Sequence, residues 1–199
     1  MIFSFPHYYG DLMDIPWGSE GTRKFVTNVG LITSAGPHGN NIMAAEWTHL
    51  VSYSPGLIAV HIGHGKATLE NIKKTKEFGV SITSTGQDII SNVAGTNSGR
   101  TTNKIEALKE LGFKFYEGKK IKSLMVEGAA LNAECKVIKE IELGDHVMVV
   151  GEVVALRING KEPLAYHKSQ YWTIDKNVKK PSDKERERII SVVEKHKKN

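Results

Sequence analysis

The chain has 199 residues, of which 40% are hydrophobic and 25% are charged, a composition typical of one globular domain with a sizeable core. One cysteine, Cys135, excludes an internal disulfide framework, and no apolar run reaches the ~18 residues of a membrane helix, so we expect a cytoplasmic protein. The net charge of +5 lies in residues 176–199, with nine Lys/Arg and four Asp/Glu, whereas residues 1–175 hold eighteen of each, which disfavours a nucleic-acid-binding body.

Residues 1–24 alternate prolines, glycines and aromatic residues. This composition predicts an irregular segment that wraps the body. Phe25–Ser34 is predicted to be a strand, and the glycine- and proline-containing residues 35–40 form a turn. Met43–Ser52 is predicted to return as a second extended element, and Leu57–Ile62 is a short apolar run typical of a buried strand.

The middle of the chain alternates helical and strand patterns. Thr68–Phe78 repeats apolar residues at helical spacing, and Thr68 is a candidate N-cap. The elements that follow Thr68–Phe78 are a strand over 79–84, a helix over 87–94, a donor-rich loop over 95–102 and a helix over 103–111. The glycine at position 112 marks the end of this last helix.

The last third of the chain is predicted to be mostly strands. Residues 129–141 alternate apolar and polar side chains, and His146–Ile158 is the most β-branched run in the sequence. Asn159 and Gly160 give a hairpin-type turn signal, and Tyr166–Ile174 is a last short strand.

These elements predict a mainly β fold with α appendages. Six or seven strands with short helices between them favour a barrel over residues 25–174. The basic tail, residues 175–199, is predicted to be helical. Its apolar residues could dock on the body or on a partner, or the helix could simply be solvated.

The stretch Asn40–Thr68 organises the functional interpretation. Its apolar strand is followed by the glycine-rich connector Gly63–Thr68, which contains Lys66, and then by the start of a helix. Free N–H groups in the first turn of a helix point at an anion that binds there. We therefore expect a site for a phosphorylated, planar cofactor.

Four motifs resemble the flavin reductase-like, FMN-binding split-barrel family, and they follow one another along the chain in the order expected for that family. The connector Ile62–Thr68 is similar to that family's IGKGxxT sequence, and Gly95–Lys104 is similar to its G-x-x-S-G-R…D-K loop, with Asn103 where aspartate is commoner. The other two are Asn41–Thr48, together with the Val-Ser and Ser-Pro pairs that follow, and Leu131–Val154. The likeness covers about residues 25–174.

This resemblance implies an FMN-binding split β-barrel that forms a homodimer, with one FMN per subunit near the interface. Such proteins pass reducing equivalents from NAD(P)H, or from another donor, through FMN to flavin, oxygen, iron or an electron-transfer partner. Two other functions remain open: a flavoredoxin-like electron carrier without pyridine-nucleotide activity, and a nucleic-acid or partner-binding barrel.

Site residues follow from the resemblance and from the chemistry of FMN. A phosphate favours charged, fixed donors, so Lys66 and Thr68 are expected to bind it, with Arg100 as a second candidate. Lys66 could instead be a solvated surface lysine. The expected contacts to the ring and ribityl chain come from Asn41, Met43, Ala44, Ala45, Trp47 and Thr48, and Gly63 and Ser98 belong to the matched motifs.

Lys104 and His146 are expected to act in the chemistry. A cation near the flavin would stabilise its reduced anion, and a histidine could donate a proton. Lys104 could instead be a surface residue of its helix, and His146 a structural histidine at a strand start. Tyr171 belongs to an aromatic cluster that either covers the ring or packs in the core.

No metal site is expected. His61 and His64 lie three residues apart, but at a strand end their side chains project to different faces. The sequence provides no carboxylate or cysteine pair beside them that would complete a ligand set.

Overall fold

An antiparallel seven-stranded sheet forms the body of the protein. The structure is a computed structural model, and it describes residues 14–198. In sheet order, the seven strands are β3 (Asn41–Ala45), β2 (Gly30–Ser34), β6 (Glu77–Ile82), β9 (Leu131–Leu143), β10 (His146–Ile158), β5 (Gly56–Gly63) and β4 (Thr48–Tyr53).

The sheet curls into a split β-barrel. The two edge strands, β3 and β4, follow one another in the chain and are separated by Glu46 and Trp47 alone. Within residues 14–198 these two strands do not pair with each other, and the amide of His61 donates to the carbonyl of Trp47 (3.1 Å) near the gap. The mainly β, split-barrel prediction is therefore confirmed, and the gap beside Trp47 is where the barrel is open.

One hydrophobic core fills the barrel. Phe78 is fully buried and contacts the inward residues of the surrounding strands. Gly151 is required here, because a Cβ at that position would lie 2.6 Å from the Phe78 ring. Cys135 is also fully buried in this core, and burial, followed by the charge of Glu134, raises the pKa of its thiol to about 12.

A second core lies between the sheet and two helices. The helices are α2 (Asp88–Thr96) and α3 (Lys104–Glu110), and their buried side chains include Ile90 and Ile105. These pack on Leu31 and Ile42, which are on the outward faces of β2 and β3. Two short strands, β7 (Phe115–Glu117) and β8 (Leu124–Val126), pair as a ribbon beside this core.

The predicted strand Phe25–Ser34 is broken into two. Its first part is β1 (Thr27–Asn28), which belongs to a separate three-stranded sheet with β11 (Leu164–His167) and β12 (Gln170–Thr173). The break arises because the two halves pair with different partners: β1 pairs with β11, and β2 pairs with β3 and β6.

The prediction of one strand over Tyr166–Ile174 was also wrong. Strands β11 and β12 form a hairpin whose turn residues, Lys168 and Ser169, have φ of 52° and 60°. Two consecutive positive φ values are characteristic of a type I′ hairpin turn. The expected hairpin at Asn159 does not form, since the strand after it pairs with β1 rather than with β10.

Two further predicted elements were displaced. The predicted element Met43–Ser52 is divided into β3 and β4 by the residues at the barrel gap. The helix α1 spans Ala67–Thr75 and its N-cap is Lys66, so Thr68 lies inside the helix and is not its N-cap. Helix α1 ends at Thr75 because Lys76 adopts a left-handed conformation (φ 57°), and Phe78 falls in β6.

The C-terminal segment contains helix α4 (Asp183–Glu194), which begins with a capping box between Ser182 and Glu185. Residues 172–198 are all exposed. At the other end, the expected irregular wrap lies partly outside the described residues; Thr22–Lys24 forms a 3-10 turn. Among residues 14–198, no helix combines the length and apolar character needed to cross a membrane.

Candidate functional site

Three of the four sequence motifs meet at one end of the barrel, next to the start of α1. The side-chain amide of Asn41 in β3 donates to the hydroxyl of Thr68 (2.8 Å). Gly99, in the loop after α2, lies against Asn41, because a Cβ there would be 2.3 Å from Oδ1. Arg100 in the same loop donates through Nε to the carbonyl of Gly65 (3.3 Å).

The first turn of α1 offers free amide groups. The amides of Leu69 and Glu70 donate to the carbonyl of Lys66. Those of Ala67 and Thr68 donate to no acceptor within the part of the chain described here. With the helix dipole behind them, such amides bind an anion.

Thr68 lies in the interior at this end of the barrel. Its side chain is buried, and its hydroxyl accepts the hydrogen bond from Asn41. The side chain of Lys66, by contrast, is exposed beside Gly63. The two residues expected to bind phosphate are therefore brought together, but only Lys66 presents its side chain to solvent.

Lys104 is buried, contrary to the alternative that it is a surface residue of its helix. It is 2% exposed, and its ammonium donates to the carbonyls of Ala94 (3.2 Å) and Asn97 (3.1 Å) at the end of α2. Burial, followed by the positive charge of Lys66, lowers its pKa to about 8. Lys104 therefore holds the loop after α2 and adds a cation close to Lys66.

The charges at this site fit an anionic group. Lys66, Lys104 and Arg100 come from three different segments, and the carboxylate of Glu70 in the first turn of α1 is shared between Arg100 and His38. After burial, the positive charge of Lys66 is the second cause of the lowered pKa of Lys104, so the two ammonium groups disfavour each other's charge. A phosphate between the free amides and these cations would remove that repulsion.

Trp47 stands at the gap in the barrel between two histidines. Trp47 is 40% exposed, and the centroid of its ring lies 4.8 Å from that of His146 and 6.1 Å from that of His61. His146 also forms a hydrogen bond through Nδ1 with Asp145 (2.7 Å). A Cβ at Gly63 would lie 3.9 Å from Nε2 of His146, so this nitrogen faces the connector.

The contact between Asp145 and His146 changes the pKa of the Asp145 carboxyl. The hydrogen bond from His146 is the main cause that lowers the pKa of the Asp145 carboxyl. A carboxylate at Nδ1 favours the tautomer with hydrogen on that nitrogen, which leaves Nε2 free to accept a proton. The fourth motif thus joins the other three through His146 and Gly63.

The side chains of β3 are mostly committed to packing. Met43 and Ala45 lie in the barrel core, and Ala44 faces the helices, 3.4 Å from where a Gly95 Cβ would be. The Thr48 hydroxyl, also buried, donates to the carbonyl of Ala45 (3.0 Å). Since β3 is an edge strand, its remaining contribution is the row of backbone groups on its open side.

Glu46 is half-buried at the barrel gap. Burial raises the pKa of its carboxyl.

Ser98 is exposed, and its hydroxyl accepts from the amide of Arg100 (3.2 Å). It therefore shapes the loop that carries Arg100.

Tyr171 is placed with a different group of residues. Its ring contacts Tyr166 at 5.4 Å. It also lines an open hollow of about 520 Å³ together with Thr85, Gly86 and Asp88. No hydrogen bond or ring contact between described residues links Tyr171 to the start of α1. The structure does not bring it into the site.

Sequence reasoning missed three residues that organise the site: His38, Glu70 and Asn71. Asn71 is fully buried and binds the turn before β3, accepting from the amide of His38 (2.9 Å) and donating to the carbonyl of Gly39 (3.0 Å). An asparagine on the apolar face of the α1 pattern was the available signal, since buried amides need partners.

No cluster of three His, Cys, Asp or Glu side chains suited to a metal ion occurs in residues 14–198. His64 is placed by the carbonyl of Gly144 (3.2 Å) and by Glu142 (3.4 Å). His61 is placed by the carbonyl of Trp47 (3.2 Å). These two histidines therefore have different partners.

Comparison with known proteins relates this geometry to one family. Residues 22–175 match the sequence profile of the family described as flavin reductase like domain. A protein of Archaeoglobus fulgidus described as uncharacterized is 39% identical over 116 residues, which are 57% of this chain and 63% of that protein. The match thus spans less than two thirds of that relative's length.

Solved structures share the fold. The NADH:FAD oxidoreductase SgcE6 of Streptomyces globisporus superposes with a TM-score of 0.73 at 20% identity, covering 84% of this chain and 99% of its own. A flavoredoxin from Methanosarcina acetivorans gives a TM-score of 0.72 at 20% identity, covering 87% of this chain and 97% of its own.

Proposed function

The chain belongs to the flavin reductase-like domain family, and from that premise we propose that it is an FMN-dependent oxidoreductase. FMN binds at the start of α1, and reducing equivalents pass from NAD(P)H to flavin or to another acceptor. The observation that carries the proposal is that the unpaired amides of Ala67 and Thr68 directly follow Lys66, the N-cap residue of α1, and the connector carbonyl of Gly65 that Arg100 reaches.

In this proposal the phosphate of FMN lies on the first turn of α1. The amides of Ala67 and Thr68 donate to it, and the exposed ammonium of Lys66 supplies the closest mobile charge. Arg100 closes the site from the loop side, where its Nε already bridges to Gly65. Lys104 contributes without touching the phosphate, through its positive charge and through the hydrogen bonds by which it holds the loop after α2.

The flavin ring lies along the open edge of β3, next to Trp47. Edge-strand N–H and C=O groups are suited to the polar edge of a flavin, and Trp47 offers a flat apolar surface. Bound flavin would supply the hydride and electron transfer. Asn41 supports this arrangement by joining β3 to Thr68.

His146 is the proposed proton donor and acceptor. Asp145 holds its Nδ1, and Nε2 faces Gly63 at the site. A histidine held in this way can accept a proton at Nε2 and pass it to a bound acceptor. Its ring also packs on Trp47, so it sets the position of the indole.

We further propose that the protein is a cytoplasmic homodimer. Edge strand β4 exposes Leu50 (59%), Val51 (52%) and Tyr53 (91%). An apolar edge strand of this kind is a surface that another chain covers. The barrel gap and Trp47 adjoin β4, so a partner on this edge would lie close to the proposed flavin.

The first test is the flavin itself. The purified protein should retain FMN through desalting, or bind added FMN with micromolar affinity, as measured by absorption and fluorescence. A colourless protein that does not bind FMN would refute the proposal. Chromatography of the released flavin separates FMN from FAD.

Reduction kinetics test the enzymatic part. Stopped-flow mixing with NADH and with NADPH should bleach the flavin absorption with at least one of the two. If neither nucleotide reduces the bound flavin, the protein is an electron carrier and the oxidoreductase assignment is wrong.

The phosphate assignment is tested by comparing FMN with riboflavin, which lacks the phosphate. Lys66→Ala should weaken FMN about tenfold, the effect of losing one charge-assisted contact of about 1.5 kcal/mol, and leave riboflavin unchanged. Lys74→Ala, an exposed lysine two turns further along α1, is the matched control. Equal losses for both flavins would place the phosphate elsewhere.

A further inference from the structure

Glu70 joins two separate segments to the first turn of α1. Its Oε2 lies 2.5 Å from Nε2 of His38, in the turn between β2 and β3. Its Oε1 accepts from the guanidinium of Arg100, in the loop after α2. Both contacts span at least thirty residues of sequence, so one carboxylate ties three parts of the chain together.

Arg100 is held in place by this carboxylate and by the connector. Its Nη2 binds Glu70, and its Nε donates to the carbonyl of Gly65. The two acceptors fix the plane of the guanidinium across the gap between the loop and α1. Arg100 is thereby placed at the side of the unpaired amides, with part of its donor set still free.

The turn on the other side is anchored equally well. His38 binds α1 twice, through its ring to Glu70 and through its amide to Asn71. The hydrogen bonds from His38, first, and from Arg100, second, lower the pKa of the Glu70 carboxyl. Glu70 is therefore a charged acceptor at neutral pH.

An acid at this place is unfavourable for an anion site if only its charge is considered. A carboxylate in the first turn of α1 opposes the binding of a phosphate to the same turn. Its two contacts, however, fix the loop that carries Arg100. The sign of its effect on phosphate binding therefore depends on whether positioning or repulsion is larger.

We propose that Glu70 is a positioning residue that holds the loop over residues 98–102 and orients Arg100, and that through Arg100 it sets the preference for a phosphorylated flavin over an unphosphorylated one. This inference rests on the proposed function for its ligand. It assigns a role to a residue that has no direct contact with the phosphate in the proposed site.

The test compares FMN and riboflavin binding to Glu70→Ala. FMN should bind five- to tenfold more weakly, and riboflavin should change by less than twofold. Glu70→Gln retains one carbonyl oxygen for Arg100 and should recover part of the FMN affinity. The control is Glu142→Ala, which removes a carboxylate that pairs with His64 and Lys73 but not with the loop.

A double-mutant cycle with Arg100→Ala decides whether Glu70 acts through the arginine. In the Arg100→Ala background, Glu70→Ala should have no further effect on FMN. An effect of undiminished size there would overturn the proposal. So would wild-type or tighter FMN binding by Glu70→Ala, or equal weakening of both flavins.

Hydrogen exchange of the flavin-free protein tests the same role without a ligand. The amides of Thr101 and Thr102 donate to the carbonyl of Ser98, and they should exchange about tenfold faster in Glu70→Ala but not in Glu142→Ala. Unchanged exchange would show that Glu70 does not hold the loop. A wild-type protein that binds neither flavin would refute the proposed function, and the exchange result would still decide the role of Glu70.

Discussion

Burial of Lys104 predicts a pH-dependent contribution to stability. The side chain is 2% exposed, and its pKa is lowered from 10.5 to about 8 by burial first and by Lys66 second. Its folded-state pKa therefore lies below the unfolded value, so folding penalises the charged form. The stabilising contribution grows as the pH rises through 8 towards 10.5 and is lost as the pH falls back through this window.

The magnitude follows from the shift. Between pH 7 and pH 9 the folded protein releases most of the Lys104 proton, while the unfolded chain retains it. The free energy of unfolding should therefore gain about 1.4 kcal/mol from this one group, roughly a tenfold change in the folding equilibrium. The whole shift corresponds to about 3.4 kcal/mol above pH 10.5.

The assay is urea unfolding of the wild type and of Lys104→Met at pH 7, 8 and 9. The difference between the two free energies of unfolding should move by about 1.4 kcal/mol in favour of the wild type across this range. Other titrating groups cancel in the difference. Lys109→Met is the control, because Lys109 is on the same helix, is exposed and pairs with Glu106 (2.8 Å).

A difference that stays constant from pH 7 to pH 9 would contradict the reasoning. It would mean that the Ala94 and Asn97 carbonyls solvate the ammonium well enough to keep its proton. A difference that moves in the opposite direction would mean that the charged form is favoured by folding.

Three other predictions concern different parts of the molecule. Leu50→Glu should shift the protein from dimer to monomer in light scattering, because it places a charge on the exposed apolar edge of β4; an unchanged mass would remove β4 from the interface. Gly99→Ala should cost about 1–3 kcal/mol in urea unfolding because its Cβ would overlap Asn41. Gly65→Ala, with open space around it, should be nearly neutral, and equal losses would contradict the steric argument. Deleting residues 176–199, of which the described residues 176–198 are all exposed, should leave the melting temperature within about 2 °C; a larger fall would show that α4 packs on the body or on a second subunit.

Local sequence signals predicted elements whose partners are close in the chain. Strand β10 spans His146–Ile158, the same bounds as the predicted β-branched run. The turn at Gly144 precedes this run and Asn159 follows it, so local signals mark both ends. The prediction of one strand over Phe25–Ser34 was wrong because the first half of this run pairs with Ala165 and Tyr166. A local sequence pattern contains no information about a partner so distant in the chain.

In the candidate site, too, residues marked by local motifs were predictable, whereas residues placed by distant contacts were not. Lys66 and Arg100 could be chosen from their chemistry and motifs, and the structure places both at the start of α1. The burial of Lys104 could not be read from its sequence, because a lysine at the start of an amphipathic helix is normally solvated. Glu70 was missed because its partners lie thirty or more residues away.

The buried thiol of Cys135 has a practical consequence. With a pKa of about 12 and no solvent access, it carries almost no thiolate at neutral pH and should not react with maleimides while the protein is folded. A cysteine introduced at an exposed position, such as Val178 in the tail (94% exposed), would then be the one reactive thiol. Spin labels or fluorophores can be attached there without replacing the native cysteine, and a distance measured between two such labels would test the proposed homodimer.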